Sequence, residues 1–316
     1  MNSLMNTFLY HLAVVEGVTQ LDLQPGKLGD RFVAIPRGPQ AIFVGVAASD
    51  DAIVPSDTGA VWFPTPPRTT APMAKPVILH FHPGGYVMGD VRTDATFAAQ
   101  VLTERVGSHI CMCLYRLASN PGGRFPAALQ DALSAYHHLL QEIPASNIIL
   151  SGDSAGGHIV IGLLRYIADH GVETGLTPPK GALLFSPAID MLAPLEPGTI
   201  TKTRNYNNDY LDPTFLSWGA KRFVSQNTES RPYMNPLGHP FKSPCSIWVF
   251  CGGCELFCDD VTDFVEQMKT VKGNEVELRV ERLANHDIVF AGNLTGWRSQ
   301  AEEAAYEAGR WISKLS

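Results

Sequence analysis

Apolar residues along the chain gather into short runs bounded by Gly, Pro, Asn or Asp, and stretches of helical spacing separate the later runs. Strands are predicted near Ala41–Val46, Ala60–Phe63, Val77–His82, Ile110–Tyr115, Asn147–Leu150, Gly181–Phe185, Ser246–Phe250 and Val276–Arg282. Helical spacing covers Pro126–Gln141, Ala155–Ala168 and Val261–Val271. Alternation of this kind predicts the α/β class, with a mostly parallel eight-stranded sheet covered by helices on both faces. The proline-rich Pro64-Thr65-Pro66-Pro67 is flanked closely by strand signals and reads as a loop, not an interdomain linker. Two stretches stand outside the alternation. Met1 to about Val18 carries Leu4, Phe8, Leu12 and Val15 at helical spacing, and about Met191 to Pro240 holds Tyr206, Tyr210, Phe215, Trp218 and Phe223.

One strand-to-helix junction carries chemistry. Gly152-Asp153-Ser154-Ala155-Gly156 lies between the apolar run ending at Leu150 and the helical stretch from Ala155. The chain must reverse sharply there, and small neighbours such as Gly152 and Gly156 allow it, which lifts the Ser154 hydroxyl clear of the sheet. Upstream, the strand at Val77–His82 runs into Pro83-Gly84-Gly85-Tyr86. A serine that attacks a carbonyl needs backbone N–H donors aimed at the oxygen that becomes negative, and Gly84, Gly85 and Ala155 suit that role. A tight structural turn and a glycine-rich β-turn are the plain alternatives for these two segments.

His82-Pro83-Gly84-Gly85 together with Gly152-Asp153-Ser154-Ala155-Gly156-Gly157 resembles the hormone-sensitive-lipase-like branch of the α/β-hydrolase fold, whose members carry His-Gly-Gly-Gly and Gly-Asp-Ser-Ala-Gly. Tyr115-Arg116-Leu117-Ala118 and Phe125-Pro126-Ala127-Ala128 are similar to the branch's segment after its fourth strand, so the resemblance runs from about Val61 to Phe290. Pro83 departs from the pattern and has no N–H to donate. In the family the donors come from the second and third glycines, which match Gly84 and Gly85. The resemblance also implies a cap over the serine, formed by about 1–40 and 191–240, on a catalytic core of about 41–190 and 241–316. Tyr86, Tyr206, Tyr210, Phe215 and Trp218 are the candidate substrate-binding residues; ordinary core packing is the plain reading of each.

In this fold the acid and the base follow the serine in chain order. The strand ending at Cys251 leads into a turn that offers Glu255, Asp259 and Asp260, and the family's motif register matches Glu255. Asp259 and Asp260 are then expected to cap the helix that begins near Val261. For the base, His286 lies after the strand ending at Arg282 and before the last helix, the loop that carries the histidine in this fold. Asp287 beside it is read as a surface charge, and His80, His82, His137, His138 and His158 as structural.

A net charge of −7 without a basic cluster argues against nucleic acid, and no apolar stretch reaches the length of a transmembrane helix. The opening Met1-Asn2-Ser3-Leu4 lacks a charged signal region, so the expectation is a cytoplasmic enzyme without a membrane span. Cys251, Cys254 and Cys258 form half a metal site with no second ligand pair, so the six cysteines read as core thiols and no cofactor or metal is expected. The resemblance implies a serine hydrolase that cleaves small-molecule carboxylic esters of small or medium acyl groups, with secondary metabolism as one setting and a homodimer as one assembly. The same triad would serve amides, thioesters or acyl transfer. A non-catalytic ligand-binding relative is the more distant alternative, and the presence of His286 speaks against it.

Overall fold

The computed structural model describes residues 21–67, 75–94 and 96–315, so the helix expected over Met1–Val18 lies outside the described residues. The strands are β1 (Phe32–Ile35), β2 (Thr58–Phe63), β3 (Val77–Phe81), β4 (Ile110–Leu114), β5 (Ile148–Asp153), β6 (Gly181–Phe185), β7 (Ser246–Gly252) and β8 (Val276–Glu281). They form one sheet in the order β1-β2-β4-β3-β5-β6-β7-β8. The pairs β1·β2 and β2·β4 are antiparallel, and every pair from β4·β3 to β7·β8 is parallel. The principal helices are α1 (Thr96–Val106), α2 (Ala127–Leu140), α3 (Ala155–Thr174), α4 (Pro213–Phe223), α5 (Cys258–Thr270), α6 (Ile288–Thr295) and α7 (Arg298–Ile312).

The central strands are buried along their whole length, as a parallel sheet covered on both faces requires. Side chains alternate between two apolar layers. On β3, Leu79 and Phe81 join the layer that contains Leu163 and Leu164 of α3 and Phe264 of α5. Ile78 joins the opposite layer with Leu102 of α1 and Ala305 of α7. Cys111 and Cys113 share one face of β4 while Met112 takes the other. All six thiols are unbridged, and among the described residues no group of three or more potential metal ligands is found.

The run Ala41–Val46 is not a strand. It forms two short 3-10 turns, Gln40–Ile42 and Gly45–Ala48, and the first strand lies earlier at Phe32–Ile35. Ile42, Phe43 and Val46 are buried, and the backbone is satisfied by local turn bonds and by one side chain: Tyr166 Oη on α3 accepts from Val44 N at 2.9 Å and donates to Ile42 O at 2.9 Å. Apolar periodicity cannot separate that arrangement from a strand ladder.

Candidate active site

Ser154 stands between the last residue of β5 and the first of α3, at φ 50° and ψ −116°. That conformation is costly for a residue with a Cβ and persists only where the surroundings hold it. Here they do: Ser154 N donates to Phe185 O at the end of β6 (3.0 Å), and Ser154 O accepts from Ala188 N (3.0 Å) and His158 N (3.1 Å). The side chain is turned toward the loop after β8, where His286 Nε2 lies 2.9 Å from Ser154 Oγ. His286 is buried, with Phe257 edge-on to its ring at a centroid distance of 5.0 Å. Burial pushes its pKa down to about 3, which favours the neutral imidazole.

Glu255 emerges from the turn after β7 and is fully buried. Its Oε2 accepts from Ser186 Oγ at 2.6 Å and from Gly252 N at 2.9 Å, and lies 4.0 Å from His286 Nδ1. That separation is within ion-pair range and beyond a hydrogen bond. Burial raises the carboxyl well above its usual range, and the Ser186 and Gly252 donors oppose that shift. Asp259 is exposed and paired with Arg204 at 2.7 Å. Neither Asp259 nor Asp260 is the helix cap, because α5 begins earlier than expected and both occupy its first turn, where they face the positive end of the helix dipole.

Asp287 is not a surface charge. It is buried, adopts φ 50° and ψ 59°, and its carboxylate accepts from Phe290 N as the N-cap of α6. The cap fixes the direction in which the chain leaves His286.

The loop after β3 bends at Gly84 (φ 118°), Gly85 (φ 60°) and Tyr86 (φ 66°). A Cβ on Gly84 would lie 2.1 Å from Met88 O, so the bend closes only around a residue without a side chain. Gly84, Gly85, Ser154 and His286 line one cavity of about 520 Å³. Its wall from the 191–240 stretch is apolar, with Met191, Leu211, Phe215 and Leu216. Its acidic lining residues are Asp90, Asp94, Asp153, Asp190 and Asp287, of which burial pushes Asp153 and Asp287 toward the neutral form, with no Lys or Arg among the described lining residues.

Of the candidate substrate-binding residues, Tyr210 and Phe215 line this cavity; Tyr86, Tyr206 and Trp218 do not. Tyr86 is buried beneath the glycine loop, hydrogen-bonded to His158 Nδ1 (2.7 Å) and stacked on Phe223 (3.8 Å). On α4, Phe215, Leu216 and Gly219 form the cavity face, and Trp218 projects from another face of the same helix. Tyr206 is half-buried and packs against the core.

Four supporting residues carry no sequence signal that marks them. Ser186 bonds Glu255 and accepts from Asp287 N at 3.1 Å, which joins the acid turn to the histidine loop. His80, buried on β3, places Nε2 3.2 Å from Asp153 Oδ1, and burial pushes its pKa down to about 3. Asn205 and Asp209, from the 191–240 stretch, bond the backbone of the turns that carry Glu255 and His286.

The model of a family described by the α/β-hydrolase fold matches residues 78–290, most of the chain. The chain belongs to the α/β-hydrolase fold family. Within it the chain stands in the hormone-sensitive-lipase-like branch. A hormone-sensitive lipase from a metagenome library is 25% identical, superposes with a TM-score of 0.67 and covers 82% of this chain and 83% of that one. An acetyl-hydrolase of Streptomyces hygroscopicus is 28% identical over 184 residues, 58% of each chain. A versiconal hemiacetal acetate esterase of Emericella nidulans is 34% identical over 180 residues, 57% of each chain. The match thus spans less than two thirds of these curated relatives. No helix among the described residues of this hydrolase-fold chain is long and apolar enough to cross a membrane.

Proposed function

We propose that the protein is a serine carboxylesterase that hydrolyses esters of small or medium acyl groups through an acyl-Ser154 intermediate. The observation that carries this reading is the 2.9 Å contact between Ser154 Oγ and His286 Nε2 in the cavity beside Gly84 and Gly85. A free serine hydroxyl is a weak nucleophile, so neutral His286 takes its proton as Oγ attacks the ester carbonyl. Glu255 orients the imidazole and stabilises the cation that forms, which requires its carboxylate and His286 Nδ1 to draw together from 4.0 Å. The N–H groups of Gly84, Gly85 and Ala155 hold the oxyanion, the last at the positive end of α3. Collapse breaks the ester C–O bond, and His286 returns the proton to the departing alcohol. Water deprotonated by His286 then attacks the acyl carbon and releases the acid and Ser154.

The cavity has room for far more than an acetyl group, and the relatives named for acetates support a small acyl part on a larger alcohol. A setting in secondary metabolism rests on the fungal likeness alone. In this reading the cap comprises about residues 191–240 and only that part of 1–40 that precedes β1, since Phe32–Ile35 belongs to the core sheet; Tyr210 and Phe215 touch substrate, and the enzyme works in the cytoplasm without a cofactor.

A panel of 4-nitrophenyl esters from acetate to octanoate tests the proposal, run beside the matching anilide and thioester and with an added alcohol as acceptor. Turnover is expected to be highest on short and medium esters, with the anilide far slower. A faster anilide or thioester, or product formed only with the acceptor, overturns it.

A further inference from the structure

The two turns that bring the acid and the base together converge on one stretch of the cap segment. Asp209 is 4% exposed. Its Oδ2 accepts from Leu256 N at 2.7 Å, and its Oδ1 accepts from Tyr210 N at 2.7 Å and from His286 N at 3.2 Å. Asn205 directs Nδ2 at two carbonyl oxygens of the acid turn, Gly253 O at 3.0 Å and Glu255 O at 2.9 Å. Asn205 O in turn accepts from Asn208 N (2.9 Å) and Asp209 N (3.2 Å), so both side chains are carried by one tight turn of backbone. Burial raises the pKa of the Asp209 carboxyl, and the N–H groups of Leu256, His286, Tyr210 and Leu211 oppose that shift; in its ionised form such bonds are about twice as strong as neutral ones, which makes it a firm anchor for the backbone it holds.

We propose that Asn205 and Asp209 form a positioning clamp through which the cap segment sets the distance between Glu255 and His286. The proposal rests on the reading of Ser154, His286 and Glu255 given above. Neither clamp residue reaches the reacting atoms; each holds backbone on one or both sides of the acid–base gap. With the backbone of both turns pinned, Glu255 Oε2 and His286 Nδ1 close their 4.0 Å separation by side-chain rotation, with no loop movement. The residues that follow the clamp, Tyr210 and Leu211, line the cavity, and the Tyr210 ring centroid is 6.1 Å from that of His286. The surface that meets the substrate and the device that aligns the triad are therefore consecutive residues of one segment, so cap sequence governs turnover as well as substrate fit.

The test uses the full chain and two substitutions that conserve size. Asp209→Asn turns an amide donor toward one of the N–H groups now accepted. Asn205→Asp sets a carboxylate against the oxygens of Gly253 and Glu255. Each is compared with wild type for kcat and KM on one short ester, for circular dichroism and for thermal midpoint, and Asp209→Asn is also made in a Glu255→Gln background. A misplacement of about 1 Å costs up to about 100-fold in rate, so kcat is expected to fall about 10- to 100-fold in folded protein with KM changed by less than about threefold. In the Glu255→Gln background the further loss is expected to be several-fold smaller, because residues that act through one another are not additive. Wild-type kcat with a lowered thermal midpoint makes the clamp merely structural and overturns the proposal, as does a raised KM with unchanged kcat. Fully additive losses overturn it as well. Should Asp209→Asn fail to fold, Asn205→Ser, which shortens one arm and adds no charge, reads out the same kcat and KM split. Wild-type turnover in Glu255→Gln alone would instead remove the acid from the underlying reading, whatever the clamp variants do.

Discussion

Gly156→Ala places a single methyl group where the structure has no room for one. Gly156 is the second residue of α3, and a Cβ there would lie 1.9 Å from Phe81 O and 2.8 Å from His82 O, at the end of β3. Real Cβ contacts are essentially never below 3.0 Å, so the helix start and the strand end must part by about an ångström. Both are backbone, so no rotamer change relieves the clash. Ser154 lies two residues before Gly156, and Gly84 lies three residues after Phe81, so the forced separation pulls the nucleophile from the proposed oxyanion donors. Overpacking of this kind costs about 1–3 kcal/mol of stability. Misplacement of reacting groups by about 1 Å costs about 100-fold in kcat. Gly162→Ala on the same helix is the control: its Cβ would meet only Tyr233 Cδ1, at 3.9 Å. There the substitution relieves the entropic penalty of a helical glycine, about 0.5–1 kcal/mol, and kcat should stay at wild type. Turnover of a 4-nitrophenyl ester and thermal melts by circular dichroism measure both quantities. Wild-type kcat in Gly156→Ala, or an equal loss in Gly162→Ala, would refute the reasoning.

Burial lowers the His286 pKa from 6.5 to about 3, so the base stays neutral well into acid and the acid limb of kcat/KM should lie below pH 6.5; a half-maximum at or above 6.5 contradicts this. By the same sign, the unfolded chain binds that proton below pH 6.5 and the folded one does not, so this group's share of stability is lost as pH falls from 6.5 toward 3. Glu255→Gln should keep the fold and lower kcat steeply, by up to about 10⁴-fold on the precedent of serine proteases, whereas Asp259→Asn breaks an exposed pair with Arg204 and should leave kcat intact. The reverse pattern would move the acid to Asp259. Five aspartates line the described cavity with no Lys or Arg, and although burial pushes Asp153 and Asp287 toward the neutral form, a monoester with a free carboxylate should be cleaved about tenfold less efficiently than its neutral isostere, with the disadvantage growing at low salt; equal kcat/KM values would show that the lining charge does not act on substrate.

The α/β class with a mostly parallel sheet, the elbow and the histidine loop are legible because each depends on local pattern: apolar runs, small residues at a reversal, and chain order; the strand order is not, since it is set by which runs pair in the folded chain. The run Ala41–Val46 departs from the strand expected of it because local turn bonds and the Tyr166 hydroxyl, distant in sequence, satisfy its backbone in place of a neighbouring strand. Asp287 looked like a surface charge because a residue's sequence neighbours do not report burial, and its cap on Phe290 N appears only once α6 is placed. Asn205 and Asp209 were invisible for the same reason, since their partners lie about 50 to 80 positions away in a turn and a loop that meet only in the folded chain. Aromatic content in the 191–240 stretch cannot say which face of α4 turns inward, so Phe215 is separated from Trp218 only by the structure.

The central claim is that Ser154 carries the acyl group. Incubation with a fluorophosphonate, followed by digestion and mass spectrometry, tests it directly, because the reagent bonds covalently to a serine activated by a neighbouring base. One adduct per chain is expected, on the peptide containing Ser154, with ester hydrolysis lost in proportion to labelling and no label taken up by Ser154→Ala. A label on another residue, or full esterase activity in Ser154→Ala, would contradict the account.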